Sequence, residues 1–187
     1  MIEYTGAQTQ QDIEQILALQ QQNLYTKITP EELAREGFVT VAHSYEVLWA
    51  MNQTYRHAIA RADERVVGYA LVMLKDFRDR VPELAGLFAN LDKLTYENRR
   101  LSEIPYFVMG QICVDKAYRG QGVVAGMYGQ MRAQMSPHFE LVVTSIATRN
   151  PRSLRAHQKV GFQVIKHFKD DLDEWDIVAW DWGNTLT

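Results

Sequence analysis

The sequence predicts a single mixed α/β domain. Three observations lead there. Helical and strand-like periods alternate through the second half, and a β-hairpin pattern stands near residue 60. No internal repeat or linker divides the 187 residues, a length that suits one hydrophobic core.

In chain order, residues 2–5 read as a short edge strand. From Thr9 to Leu24, the apolar positions Ile13, Ile16, Leu17 and Leu24 fall at helical spacing, so the glutamine-rich stretch reads as a surface helix. Thr29-Pro30-Glu31-Glu32 carries an N-cap threonine, a proline at the first helical position and a glutamate at N3, which predicts a short helix ending by Gly37. Residues 45–55 fit either a helix or an irregular segment. Ala58–Ala62 and Val66–Leu74 are strand-like runs about the turn Asp63-Glu64-Arg65, hence the hairpin. Residues 75–104 are charged and interrupted by Pro82, yet Leu84, Leu87, Phe88 and Leu91 keep a helical period. Next come a strand at Tyr106–Val114, a helix at Val123–Met135 stopped by Pro137, and a buried strand at Leu141–Ala147. A helix at Pro151–Val160 and strands at Phe162–Phe168 and Asp176–Trp182 complete the chain.

Composition narrows the function classes. Hydrophobic residues make up 47% and charged residues 23%, as in ordinary globular domains. A formal charge of -3 argues against a nucleic-acid partner, whose binding domains are usually basic. One cysteine, Cys113, excludes an internal disulfide and a multi-cysteine zinc site. The histidines show no metal-binding spacing, so no metal is expected. With no signal-like N-terminus and no apolar run of about 20 residues, a cytoplasmic protein without a membrane partner is expected.

The most informative segment starts at Ile112: a strand, a polar turn, Arg119-Gly120-Gln121-Gly122, then a helix. Glycines let backbone approach a ligand closely, and the amides of a helix N-terminus form an anion site. The pattern therefore points to a phosphate or pyrophosphate ligand. Gly120, Gly122 and Ala125 also fit a dinucleotide-binding fingerprint, with Glu140 about twenty residues on. Context opposes that ligand, because Asp115 to Arg119 separate the strand from the first glycine and Glu140 precedes the next strand rather than ending it.

A second constellation runs from Asn150 to Phe162, NPRSLRAHQKVGF. Asn150 suits the N-cap, Pro151 the first helical position and Gly161 the C-cap. Asn150, Ser153 and His157 fall within roughly 60° on one helical face. A capped surface helix with a solvated histidine would account for these residues as well as a ligand site would.

In order, the two segments resemble motifs A and B of the GNAT superfamily of N-acetyltransferases. Arg119, Gly122 and position 124 match Q/R-x-x-G-x-G/A; Asn150 to Phe162 match N-x-x-S/A-x-x-x-Y-x-K-x-G-F. The close resemblance covers residues 106–165, and the hairpin at 57–74 follows the family more loosely. Val124 stands where motif A ends in a small residue, and His157 stands where the family most often has tyrosine.

The resemblance implies a mixed, mostly antiparallel sheet flanked by helices, with a V-shaped opening between the fourth and fifth strands. It implies direct acetyl transfer from acetyl-CoA, as cosubstrate, to a primary amine of a small molecule or peptide. The amides of Arg119, Gly120, Gln121, Gly122, Val123 and Val124 would hold the pyrophosphate. The edge of Ile112, Cys113 and Val114 would pair with pantetheine, and a backbone N–H near Val114 would face the oxyanion. Asn150, Ser153 and His157 would line the same site, His157 acting as general acid toward the departing thiolate. Glu103 and Tyr106 are the side-chain candidates for the base, with a water chain to a backbone carbonyl as the equal alternative. Cys113, in mid-strand, reads as a core residue rather than a nucleophile.

Substrate contacts are expected from residues 20–55 and 75–105, whose acids Glu31, Glu32, Asp92 and Glu103 would suit a cationic amine. Trp175, Trp180 and Trp182 read as core or interface residues compatible with a homodimer, or as the lining of an aromatic pocket. The rival reading is a non-catalytic acyl-CoA-binding sensor.

Overall fold

A computed structural model describes residues 1–183, except the side chains of residues 34 and 35. The chain forms β1 (Ile2–Gly6), α1 (Gln10–Asn23), α2 (Pro30–Arg35), α3 (Tyr45–Thr54), β2 (Ala58–Ala62) and β3 (Arg65–Met73). It continues with α4 (Ala85–Leu91), β4 (Thr95–Tyr96), β5 (Arg99–Arg100), β6 (Tyr106–Val114) and α5 (Val123–Met135). Then follow β7 (Leu141–Ala147), α6 (Pro151–Val160), β8 (Gln163–Lys169) and β9 (Glu174–Asp181).

Local chemistry accounts for the helix starts. Thr9 caps α1 reciprocally with Asp12, and Thr29 caps α2 with Glu32. The undecided stretch at 45–55 is helical: Ser44 accepts the Val47 N–H, while Leu48 and Met51 bury one side. The excursion at 75–104 is less helical than its period suggests. Pro82, which has no N–H to give, stands among short 3-10 turns, and only α4 completes regular turns before the small β4–β5 ribbon.

Seven strands form one sheet in the order β1-β2-β3-β6-β7-β9-β8. Every neighbouring pair is antiparallel except β6 with β7. The sheet separates two buried layers. Ile13, Ile16, Leu48, Leu87 and Leu101 fill the layer with α1, α3 and α4, whereas Met127, Tyr128, Met131 and Phe162 fill the layer with α5 and α6. Gly126 lets α5 sit close on β1, since a Cβ there would collide with the Tyr4 ring.

The feature that positions the site is where pairing stops. Tyr106, Phe107 and Val108 pair with Leu141, Val142 and Val143, and no pairing continues beyond them. At the same point β6 carries a bulge against β3: Ala70 to Val72 face Ile112 to Met109. A bulge bends its strand, and β6 and β7 part at that bend. The V-shaped opening therefore lies between the fourth and fifth strands of the chain, not counting the two-residue β4 and β5.

A cleft where the central strands part

The open edge of β6 has a defined polarity. Asp115 N–H bonds to the Val67 carbonyl at 2.8 Å, on the β3 side, whereas the Val114 carbonyl accepts from Arg119 Nε at 3.0 Å. Because successive residues alternate their polar groups, those of Ile112 and Val114 face the gap. Beyond the strand, Gly120 and Gly122 take left-handed φ of +78° and +79°, and a Cβ on either would meet nothing within 4 Å. Gly122 is the N-cap of α5 and offers no side-chain cap. The first amides of α5 are thus left for a ligand.

These elements line a cleft of about 680 Å³ between β6 and α6. Ile112, Cys113, Val114 and the loop residues Arg119, Gly120, Gly122, Val123 and Val124 lie on one side, with Asn150, Ser153 and His157 on the other. Gln121 lies on the exposed side of the turn, its amide folded back onto the Ala117 carbonyl at 2.9 Å. Arg119 reaches the cleft with its backbone turn, while its guanidinium holds Val114, Asn23 and Glu36. Cys113 is buried, and that burial pushes its thiol up to about 12.

Arg152, Arg155 and Lys159 also line the cleft. Sequence reasoning passed over them, although their i, i+3, i+7 spacing on α6 is legible as one helical face. They give a mildly acidic protein a locally basic cleft.

A second, smaller chamber of about 70 Å³ opens on the other side of the gap. Phe38, Val39, Ile112, Asn150, Ser153 and His157 border both spaces, so the two meet there. Phe38 and Val39, also missed in the sequence, are set by long-range bonds. Asn150 caps α6 through Ser153 N–H at 3.2 Å and donates Nδ2 to the Phe38 carbonyl at 3.3 Å. Val39 exchanges backbone bonds with Asn23 and Tyr25 at 3.0 and 2.9 Å.

The surroundings of His157 fix its tautomer. Its Nδ1 lies 2.8 Å from the Ser153 carbonyl, which can only accept, so Nδ1 carries the proton. Nε2 is buried with no partner among the described residues. Burial pulls the ring down to about 4, outweighing the upward pull of that carbonyl. At neutral pH His157 is a neutral ring whose buried Nε2 keeps a free lone pair and can accept a proton.

The two base candidates lie elsewhere. Glu103 is exposed in a 3-10 turn before β6, and Tyr106 sits where β6 and β7 are still paired. At about 3.3 Å per strand residue, Tyr106 is roughly 20 Å from Ile112. Of the acids expected to face a cationic substrate, Glu31 and Glu32 line, with Glu36, a third space of about 410 Å³ that shares Arg119 and Arg152 with the cleft. Glu32 pairs with Lys116, Asp92 pairs with Arg78 at 2.6 Å, and Glu31 stands outside the cleft and the smaller chamber. Of the tryptophans, Trp182 is buried, Trp180 packs against Phe162, and Trp175 lines the smaller chamber. Among the described residues no cluster of three His, Cys, Asp or Glu could hold a metal, and no helix is long and apolar enough to cross a membrane.

A family model described as an acetyltransferase (GNAT) domain matches residues 7–163. No curated protein sequence matches the chain. Among solved structures, the Drosophila melanogaster polyamine N-acetyltransferase aligns with a TM-score of 0.65 at 16% identity, covering 96% of this chain and 98% of that one. The putative acetyltransferase yncA from Salmonella typhimurium, solved with its cofactor acetyl-CoA, aligns at 0.63 and 12%, covering 100% and 96%. The ribosomal-protein-S18-alanine N-acetyltransferase from Escherichia coli aligns at 0.62 and 12%, covering 100% and 99%. At these identities the structural likeness speaks to the fold.

Proposed function

The chain belongs to the GNAT acetyltransferase family and is an acetyl-CoA-dependent acetyltransferase; from that premise we propose that it acetylates a primary amine by direct transfer in a ternary complex. One observation carries this reading: the unpaired edge of β6, the uncapped start of α5 and the free Nε2 of His157 all border one cleft at the parting of β6 and β7.

The amides of Gly120 to Val124 would hold the pyrophosphate, with Arg152, Arg155 and Lys159 drawing the remaining phosphate charge. Pantetheine would extend along Ile112–Val114 as an added strand. That puts the thioester at the junction of the two spaces and the acceptor in the smaller chamber. Backbone N–H groups at the open edge, Val114 foremost, would stabilise the oxyanion, an interaction often worth about 3 kcal/mol per donor.

The amine arrives mostly protonated, with a pKa near 10 if it resembles lysine, and reacts as its neutral fraction. Its nitrogen attacks the thioester carbonyl, a C–N bond forms, and the C–S bond then breaks. The proton leaving nitrogen passes to His157 Nε2 and is returned to the departing sulfur, so the products are an amide and CoA thiol. A ring near 4 is a weak base, yet it can relieve the strongly acidic N–H of a tetrahedral adduct.

Amine acceptors as different as polyamines and a ribosomal-protein alanine appear in the names of the structural neighbours, so the fold leaves the acceptor open. Thermal unfolding with acetyl-CoA, against NAD as control, tests the cofactor. Ligand at a hundred times its Kd adds about 2.7 kcal/mol and should raise Tm by roughly 5–10 °C. Thiol release with an amine tests the transfer. Binding without release from any amine would favour an acyl-CoA sensor instead.

A further inference from the structure

The smaller chamber has its own chemistry. Val41, Leu84, Leu87, Met109, Ile146 and Trp175 supply apolar walls beyond the junction. Beyond Asn150, Ser153 and His157 at the junction, its polar members are the neutral Thr40, Gln111, Thr144 and Ser145, and the Gln111 amide is already committed. Gln111 Oε1 accepts from Tyr69 at 2.6 Å and from Gln20 at 3.1 Å, while its Nε2 donates to the Val41 carbonyl at 2.8 Å. That buried network fixes the wall formed by residues 38–41.

No carboxylate is among the chamber's described lining residues. Of the acids beside lining residues in sequence, Glu83 is exposed next to Leu84, Glu174 pairs with Lys169, Asp176 bonds to His167, and Glu36 is held by Arg119 and Arg152, so none enters the chamber. A second ammonium entering with the substrate would be desolvated with no counter-charge, which proteins avoid because an unpaired buried charge is costly.

From this we infer that the acceptor is a small-molecule monoamine, its nitrogen borne on an uncharged, apolar group, and that diamines and polyamines are rejected. The inference rests on the acetyl-transfer reading and adds the substrate class to it. The chamber discriminates twice: its walls bury the alkyl body, and its lack of acid leaves a distal cation unpaired.

Matched amines test this. Initial rates of CoA thiol release would be compared for n-butylamine, 1,4-diaminobutane and 4-aminobutanoate, with acetyl-CoA binding followed by thermal shift in the same samples. The expected result is a kcat/KM for n-butylamine at least about tenfold above either charged analogue. The variant Leu84→Glu, which sets a carboxylate in the wall, should narrow or reverse the preference over 1,4-diaminobutane. Equal or better use of the diamine by the wild-type protein would overturn the inference. So would a normal acetyl-CoA shift with no turnover of n-butylamine, or turnover of a peptide N-terminus alone. Loss of the acetyl-CoA shift itself would instead count against the acetyl-transfer reading. The wild-type comparison decides the matter even if Leu84→Glu fails to fold.

Discussion

Glu36 and Arg119 meet at 2.5 Å, and the same Glu36 oxygen accepts from Arg152 at 2.6 Å. One carboxylate thus joins the glycine turn to the start of α6, immediately before Gly37, Phe38 and Val39 enter the cleft wall. The two guanidinium groups hold the Glu36 carboxyl below its ordinary value, so it stays ionised. Glu36→Gln should have opposed effects. Without the local negative charge, the KM for acetyl-CoA should fall by about two- to threefold at low salt. With the Phe38–Val39 wall less firmly set, kcat should fall by about tenfold. Steady-state kinetics at two ionic strengths would check both, and unchanged constants would mean that the bridge does no more than cover surface.

Replacing His157 should separate binding from chemistry. His157→Phe keeps a ring against Tyr128 and Phe162, which lie 5.5 and 5.1 Å away between centroids, but removes the acceptor. A loss of kcat of about a hundredfold is expected, with the acetyl-CoA thermal shift retained. The wild-type rate should also show no titration near 6.5, because the ring titrates at about 4. Its acid limb should follow the acceptor amine instead.

Acid should destabilise the fold through three buried histidines. Burial lowers His43, His57 and His157 each to about 4 from 6.5. Between those values the unfolded chain binds protons that the folded chain refuses. Stability is therefore complete above about pH 6.5 and is lost as pH falls toward 4, each histidine adding about 1.4 kcal/mol per pH unit at most. Urea unfolding from pH 7.5 to 4.5 would measure the slope. His43 has no hydrogen-bond partner on either ring nitrogen among the described residues. His43→Leu should accordingly be near neutral at pH 7.5 and flatten the slope by about a third.

Two glycines should separate the cleft from the core. Gly122→Ala forces a side chain to a φ of +79°, costing about 1–2 kcal/mol, and places a methyl group where phosphate would approach. Acetyl-CoA affinity should fall at least about tenfold. Gly126→Ala would drive a methyl into the Tyr4 ring and cost about 1–3 kcal/mol of stability. Its effect on affinity, in protein that remains folded, should be within about twofold. Calorimetry and a binding titration on both variants would check the pattern.

The sequence by itself determined what is local. The capping pair of Thr29 with Glu32, the glycines after β6, and the run from Asn150 to Gly161 each act within a few residues, so their spacing can be read directly. The two motifs in order were sufficient to indicate the fold. Only the tertiary structure decided what depends on distant partners. Phe38 enters the site because Asn150, 112 residues away, holds its carbonyl. Glu103 stays outside because β6 is still paired with β7 at that end. His157 became an acceptor because burial penalises its charge and the Ser153 carbonyl takes its one proton. Spacing along a chain specifies turns and caps, whereas desolvation and the assembly of remote residues arise only once the sheet has formed and its two central strands have parted.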